Sequence, residues 1–200
     1  GKWANTSNAM STFAYHSWNQ EYGTGSECVV LGWDPADEHT TNFWEELSST
    51  TLGSAGSTID SGTITAKKYL WFQIFNGGLS SSGVTGLRFN SDSGTNYAER
   101  RSGNGGADAV GTSRPVLNLV NTGSTTPQFS NAFVINNSAN EKLVISHAVS
   151  QETAGAGTAP FRSELVGKWA NTASQITSIQ AIASAGNFPI GSILKVWGSD

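Results

Sequence analysis

Three side chains in a short polar segment have the spacing of a calcium-binding loop. Asn90, Asp92 and Asn96 place oxygen atoms at alternate positions around Gly94, which is the pattern by which loops bind Ca²⁺. Arg101 stands where an EF-hand loop would need its bidentate Glu. The segment therefore predicts either a calcium site at Asn90, Asp92 and Asn96 or, as the simpler interpretation, an ion-free turn whose side chains bond their own backbone.

Tryptophan is the second feature with binding chemistry. The chain contains 7 Trp, 9 Phe and 4 Tyr, and an exposed indole ring can stack on the apolar face of a sugar or pack against another subunit. Core packing or a subunit interface is the simpler interpretation, and a sugar-stacking platform is the alternative. The candidate interface or binding residues are Trp18, Trp33, Trp44 and Trp71.

No arrangement of residues points to catalysis. His16, His39 and His147 are isolated from other metal-ligating residues, apart from the acidic neighbours of His39. Glu45 and Glu46 are adjacent, so on a strand they would point to opposite faces and could not act as an acid and base pair. The glycine-rich segments lack the spacing of phosphate or dinucleotide loops. We therefore expect a non-enzymatic protein with no cofactor, unless the loop described above binds Ca²⁺.

Composition and charge exclude several classes of partner. Charged residues make up 13% of the chain and the net charge is −4, whereas nucleic-acid binding needs a surplus of Lys and Arg. No apolar run approaches the ~18 residues that span a membrane, so neither nucleic acid nor membrane insertion is expected. The single cysteine, Cys28, allows no intramolecular disulfide and is expected to pack as a small apolar residue.

Many short strands separated by Gly, Asn and Pro are predicted along the chain. The composition favours an all-β fold, and we expect an antiparallel β-sandwich that is jelly-roll-like. Residues 69–75 should form a central strand, 90–96 a hairpin turn, and 42–47 either a helical turn or an edge strand. The strand candidates besides the terminal repeat are 66–75, 84–90, 97–102, 116–120, 132–136 and 142–149.

A repeat links the two ends of the chain. The hexapeptide Gly-Lys-Trp-Ala-Asn-Thr occurs at 1–6 and at 167–172, and ungapped similarity makes residues 1–34 a second copy of 167–200. Each copy is predicted to be a β-hairpin, which gives a hairpin segment at 1–34 and a sandwich at 35–200, or one continuous domain. The duplicated hairpin could pair within one sandwich, which we favour, or complete the sheet of a neighbour by strand addition.

Several segments together resemble a repeat domain of predicted structural proteins from bacteriophages and other viruses, often marine. The resemblance covers about residues 29–200, and it implies a β-sandwich component of a virus particle, often in tandem, with no catalytic residues. The segments that carry it are 29–34 (VVLGWD), 42–47 (NFWEEL), 66–70 (AKKYL), 88–98 (RFNSDSGTNYA), 141–145 (EKLVI), 154–160 (AGAGTAP) and 167–172 (GKWANT).

The function expected from these features is architectural. The protein would decorate a capsid or build a tail or spike at the virion surface, as a homo-oligomer in contact with other virion structural proteins. One alternative is a carbohydrate-binding module or adhesin that contacts a host-surface glycan. Another is an extracellular filament subunit joined to its neighbours by strand exchange, located outside the cell or at the cell surface.

Overall fold

The structure is a computed structural model, and it describes residues 12–17, 21–30, 43–120 and 123–200. The chain divides into two compact units, 1–41 and 42–200. No strand occurs in the described part of the first unit, 12–17 and 21–30. The rest of the predicted hairpin at 1–34 lies outside the described residues.

Strands are the only regular secondary structure in the described part of the second unit, and every strand pair is antiparallel. An eight-stranded sheet has the order β1-β12-β3-β8-β9-β10-β5-β6, and a four-stranded sheet has the order β2-β11-β4-β7. The strands are β1 Glu45–Thr51, β2 Thr58–Asp60, β3 Tyr69–Asn76, β4 Thr85–Phe89, β5 Tyr97–Gly103, β6 Ala109–Arg114, β7 Leu117–Asn118, β8 Gln128–Ile135, β9 Lys142–Ser150, β10 Phe161–Trp169, β11 Ile179–Ala183 and β12 Ile193–Ser199.

The two sheets enclose one hydrophobic core, which confirms the predicted all-β sandwich. β3 shows how the sequence produces it: Leu70, Phe72 and Ile74 alternate with outward residues and are buried against the small sheet. From the small sheet, Ile59 and Leu87 are also fully buried. Residues 42–47 were predicted as a helical turn or an edge strand. Residues 45–47 form the start of edge strand β1, residues 43 and 44 form a bend before it, and residue 42 lies outside the described residues.

Two predicted hairpins are instead connections between the sheets. Segment 90–96 joins β4 of the small sheet to β5 of the large sheet, and segment 184–192 joins β11 of the small sheet to β12 of the large sheet. The hairpin predictions for 90–96 and 167–200 were therefore wrong. The physical reason is that Gly and Asn favour any tight change of direction, and β11 and β12 each bury apolar side chains in the core between the sheets.

The two copies of the repeat share one turn. Gly25 and Gly191 occupy equivalent positions and have φ values of 87° and 82°, where glycine is strongly preferred. In each copy the next residue closes the turn: the Ser26 amide donates to Gly23 at 3.1 Å, and the Ser192 amide donates to Pro189 at 3.2 Å. Sequence similarity between the copies is thus accompanied by the same local backbone structure at this point.

Candidate functional site

The broadest candidate site is the outer face, by which we mean the side of the large sheet turned away from the core, across strands β12, β3, β8, β9 and β10. Strand register aligns the outward side chains of these five strands in rows that run across the sheet. The first row is apolar. It consists of Trp197, Trp71, Phe133, Ile145 and Val166.

A polar row follows two residues further along the strands, and a second apolar row lies beyond it. The polar row is Lys195, Gln73, Asn131, His147 and Glu164. The second apolar row is Ile193, Phe75, Phe129 and Val149, and it ends on β10 at the cation Arg162. The outer face therefore alternates between apolar and polar stripes.

Four aromatic rings cluster on the first apolar row. The centroid of Trp71 lies 4.4 Å from that of Trp197 and 6.0 Å from that of Phe133, and both pairs are stacked. Trp44, which precedes β1, has its ring centroid 5.9 Å from Trp71 and 6.3 Å from Phe133. The Trp71 indole donates to Asn131 Oδ1 at 2.6 Å, so the cluster is also tied to the polar row.

Large apolar side chains on the outer face remain in contact with solvent. Seven of them have between 38 and 57% of their surface exposed: Phe75, Phe129, Phe133, Leu143, Ile145, Val149 and Val166. Single exposed apolar residues are ordinary, but a contiguous patch marks an interaction surface. The contiguity in register, rather than the number of residues, is what identifies this face.

Strand β9 has the reverse of the usual pattern for a half-buried strand. Its inward positions include Lys142, Ser146 and Ser150, which are buried, while Leu143 and Ile145 point outward and are exposed. A strand that served only the core would place its large apolar residues inside. The apolar residues of β9 are thus arranged for the outer face.

The two halves of the outer face differ in shape. Trp44 covers the half at β3 and β8. The half at β9 and β10 borders a hollow of about 300 Å³ that extends onto β5. Its lining includes Ile145, His147 and Val166 and also the charged side chains Arg100, Asp108 and Glu164. One half thus projects and the other is recessed.

The outer face brings together two of the four predicted binding residues, Trp44 and Trp71. Trp18 and Trp33 lie outside the described residues. Sequence reasoning missed Trp197 and Phe133, which are in contact with Trp71. The signal that could have identified Trp197 was its outward position next to Trp71 once β12 and β3 were paired.

In the predicted calcium loop, the Asp92 carboxylate accepts several hydrogen bonds. Oδ1 accepts from the Gly94 amide at 2.9 Å, as in an Asx turn, and Oδ2 accepts from the Trp169 indole at 2.7 Å and from the Asn96 amide at 2.9 Å. Burial raises the carboxyl's pKa, but these three hydrogen bonds outweigh it and hold the pKa of Asp92 below its ordinary value. The carboxylate thus fixes the buried Trp169 in the core.

The three predicted calcium ligands do not direct their oxygens to one point. Asn90 Oδ1 accepts from the backbone amides of Thr177 and Ser178, at 2.8 and 3.1 Å, whereas Asn96 presents its amide nitrogen to Asp92. These bonds match the ion-free turn, and calcium binding stays a prediction. Within the described ranges, no three His, Cys, Asp or Glu side chains gather where a metal ion could bind.

Two buried charges serve the architecture. The Lys142 ammonium donates to the backbone carbonyl oxygens of Asn140 and Asn171, both at 2.8 Å. Burial lowers the pKa of this ammonium. The Glu99 carboxylate contacts Arg101 and accepts from the backbone N–H of Asn118 at 2.6 Å. The second of these bonds links β5 to β7. Each charge has partners that account for its burial.

The described part of the first unit has a hollow of its own. It measures about 480 Å³ and its lining includes Phe13, Tyr15, Tyr22 and Cys28. The Tyr15 and Tyr22 ring centroids are 5.5 Å apart. Cys28, expected to pack as a small apolar residue, is exposed, because the backbone of 21–30 forms no strand that could bury it.

Comparison with known proteins gives no relative: no protein-family model, curated protein or solved structure matches the chain. A membrane-spanning helix, long and apolar enough to cross a bilayer, is not found in the part of the chain that the structure describes. Functional inference therefore starts from the outer face itself.

Proposed function

We propose that this protein is a non-enzymatic structural protein of a virus particle that packs through its outer face against other copies of itself and against neighbouring particle proteins. The observation that carries the proposal is the contiguous exposed apolar surface formed by the two apolar rows. Association that buries such a surface removes apolar area from water, which drives most protein assembly.

The strand topology supports an architectural role for this face. We interpret the fold as a jelly roll, with four-stranded halves β1-β12-β3-β8 and β2-β11-β4-β7, into which the pairs β5–β6 and β9–β10 have been inserted. Both inserted pairs extend only the large sheet. Because β9 and β10 contribute Leu143, Ile145, Val149 and Val166, the insertion widens the apolar outer face.

A location on the exterior of the particle agrees with the low charge and with the absence of a basic surplus for packing nucleic acid. The resemblance to virus structural repeat domains points in the same direction. The protein would decorate a capsid or form part of a tail or spike, with homo-oligomeric contacts as its main interactions.

The proposal is tested by the native mass of the chain, measured by light scattering across a range of concentrations. We expect a defined oligomer that dissociates when Ile145, which is 57% exposed on the outer face, is replaced in Ile145→Lys. The matched control is Ile190→Lys, because Ile190 is 69% exposed in the turn before β12. A monomer at every concentration, or equal effects of both variants, would contradict the proposal.

A carbohydrate-binding module is the second candidate, and the polar row beside the aromatic cluster favours it. Gln73 and Asn131 lie next to Trp71 in register and share a hydrogen bond at 3.3 Å, so rings and amides could contact one sugar. Quenching of Trp fluorescence by added oligosaccharides, lost in Trp71→Ala, would support this candidate. A glycan array without signal would count against it.

A further inference from the structure

The polar row of the outer face carries opposite charges at its two ends. Lys195 on β12 is at one end and Glu164 on β10 at the other, with Gln73, Asn131 and His147 between them. Both charged side chains are partly exposed, at 42% for Lys195 and 44% for Glu164. The row thus runs from a cation to an anion across the sheet, and each of the two has one ion-pair partner within the chain, Glu46 for Lys195 and Arg162 for Glu164.

From this polarity we infer that the outer face pairs with the outer face of a second copy of the chain, around a two-fold axis that runs parallel to the strands near β8. This inference rests on the proposed function, and it specifies the partner and the orientation. Such an axis reverses the order of the strands in the facing sheet. It therefore places Lys195 of one copy opposite Glu164 of the other, twice per dimer.

One central pair of the polar row is also complementary in this orientation. Asn131, on the central strand β8, faces its own equivalent, but its Oδ1 already accepts from Trp71 and Gln73 within the chain, so it adds no reciprocal amide pair. Gln73 faces His147, which offers a ring nitrogen to the amide. A two-fold axis perpendicular to the strands would instead bring Lys195 against its own equivalent, which like-charge repulsion disfavours.

The shape of the outer face fits the same axis. The half that Trp44 covers would be placed against the recessed half of the second copy, where Ile145 and Val166 line the hollow of about 300 Å³. Rotation about an axis along the strands preserves position along the strands, so the first apolar row of one copy would lie on that of the other. In the second row Phe129 meets its equivalent and Phe75 meets Val149, whereas Arg162 at the edge comes opposite Ile193. Sheets that pack face to face in this way are close to aligned.

The size of the face is sufficient for a stable dimer. Five strands spaced ~4.8 Å apart, and four outward positions per strand spaced ~7 Å apart, cover on the order of 600 Å² as a flat projection. Projecting side chains present more accessible area than this projection. The face thus lies at the lower end of the range of about 600–1,000 Å² per partner that is typical of specific interfaces.

The experiment exchanges the charges and then mixes the variants. Lys195→Glu alone creates two Glu–Glu contacts per dimer, and Glu164→Lys alone creates two Lys–Lys contacts, so each variant should dimerise about tenfold to a hundredfold more weakly than wild type. In an equimolar mixture, each Lys195→Glu chain meets a Glu164→Lys chain and both contacts become attractive. We therefore expect the mixture to recover a dimer with an affinity within a few fold of wild type.

The mixing step separates an intermolecular contact from damage within one chain. Lys195 lies 3.4 Å from Glu46, and Glu164 lies 3.7 Å from Arg162, so each variant also changes a local ion pair that mixing cannot restore. Asp60→Lys, on exposed Asp60 of the small sheet, has the same charge change as Glu164→Lys and should keep the wild-type affinity. Urea unfolding of each variant verifies that it is folded.

The outcomes separate this inference from the proposed function. If Ile145→Lys dissociates the wild-type oligomer but the mixed variants do not re-associate, the pairing is overturned and the proposed function stands. If the single charge variants keep the wild-type mass, the pairing is likewise overturned. If the wild-type chain is a monomer throughout, the proposed function fails and this inference fails with it.

Discussion

The hydrogen bond between Asp92 and Trp169 allows one quantitative prediction. In Asp92→Asn, one carboxylate oxygen is replaced by the NH₂ group of a side-chain amide. If the remaining oxygen accepts from Gly94, the amide nitrogen faces the Trp169 indole, which is also a donor. Trp169 is 1% exposed, so its indole nitrogen cannot readily turn to water. A buried unsatisfied donor, together with the loss of a charged acceptor, should lower the free energy of unfolding by about 2–3 kcal/mol.

The assay is urea unfolding at neutral pH, followed by Trp fluorescence, in which the midpoint falls without a change in slope. The matched control is Asp60→Asn. Asp60 forms the same kind of Asp-x-Gly turn, with its Oδ1 accepting from the Gly62 amide at 2.8 Å, but it is exposed and contacts no buried indole. We expect the free energy of unfolding of this control variant to change by less than about 0.5 kcal/mol. Equal destabilisation by the two variants would refute the reasoning.

The same pair of variants has a pH signature. The folded-state pKa of Asp92 is lowered, so its stabilising contribution is fully present above the unfolded-state value of about 3.9 and is lost as the pH falls through the folded-state value. The stability difference between wild type and Asp92→Asn should therefore shrink below about pH 4. A difference that stays constant down to about pH 2 would show that the carboxylate charge plays no part.

Three further predictions concern other parts of the sandwich. Gly198→Ala would bring a Cβ within 2.6 Å of the Leu47 and Lys67 side chains, so it should lower the free energy of unfolding, measured in urea, by about 1–3 kcal/mol. Gly157→Ala, with open space around it, should not lower it. Lys142→Met leaves three carbonyl groups without their donor and should cost about 2–4 kcal/mol in the same assay. Burial raises the pKa of Tyr97, so its contribution is complete below the unfolded-state value of about 10 and is lost as the pH rises beyond it. Tyr97→Phe removes the acceptor of the Phe89 N–H and should lower the free energy of unfolding at neutral pH, but that free energy should then fall less steeply above about pH 10 than in wild type, as measured by urea unfolding at a series of pH values.

Some of the fold could be predicted from the sequence because it depends on local pattern. The apolar run at 69–75 identified β3, and the strand candidates 84–90, 97–102 and 142–149 coincide closely with β4, β5 and β9. The connections at 90–96 and 184–192 were misinterpreted because a turn residue does not determine which sheet the next strand joins. β10 escaped prediction because its sequence mixes inward Ser163 and Gly167 with outward charges, so it lacks a dominant apolar period.

The candidate site was only half predictable for a related reason. Trp44 and Trp71 were identified by residue type alone, since Trp is enriched at interfaces. The exposure of Leu143 and Ile145 was not foreseen, because the sequence of an alternating strand does not show which of its two faces points to the core until the neighbouring strands are known. In β9 the usual rule would have placed these two residues inside.

The pairing of the first and last strands has a consequence for how the protein is made. β12 lies between β1 and β3, and Glu45 pairs with Gly198. At about 5–20 residues per second, a ribosome needs roughly 7–30 s to add the residues between these partners. During that interval the facing edges of β1 and β3 have unpaired N–H and C=O groups, which invite pairing with other chains. Contacts of such high sequence separation also make folding slow, so a growing chain needs protection from premature association until β12 is complete.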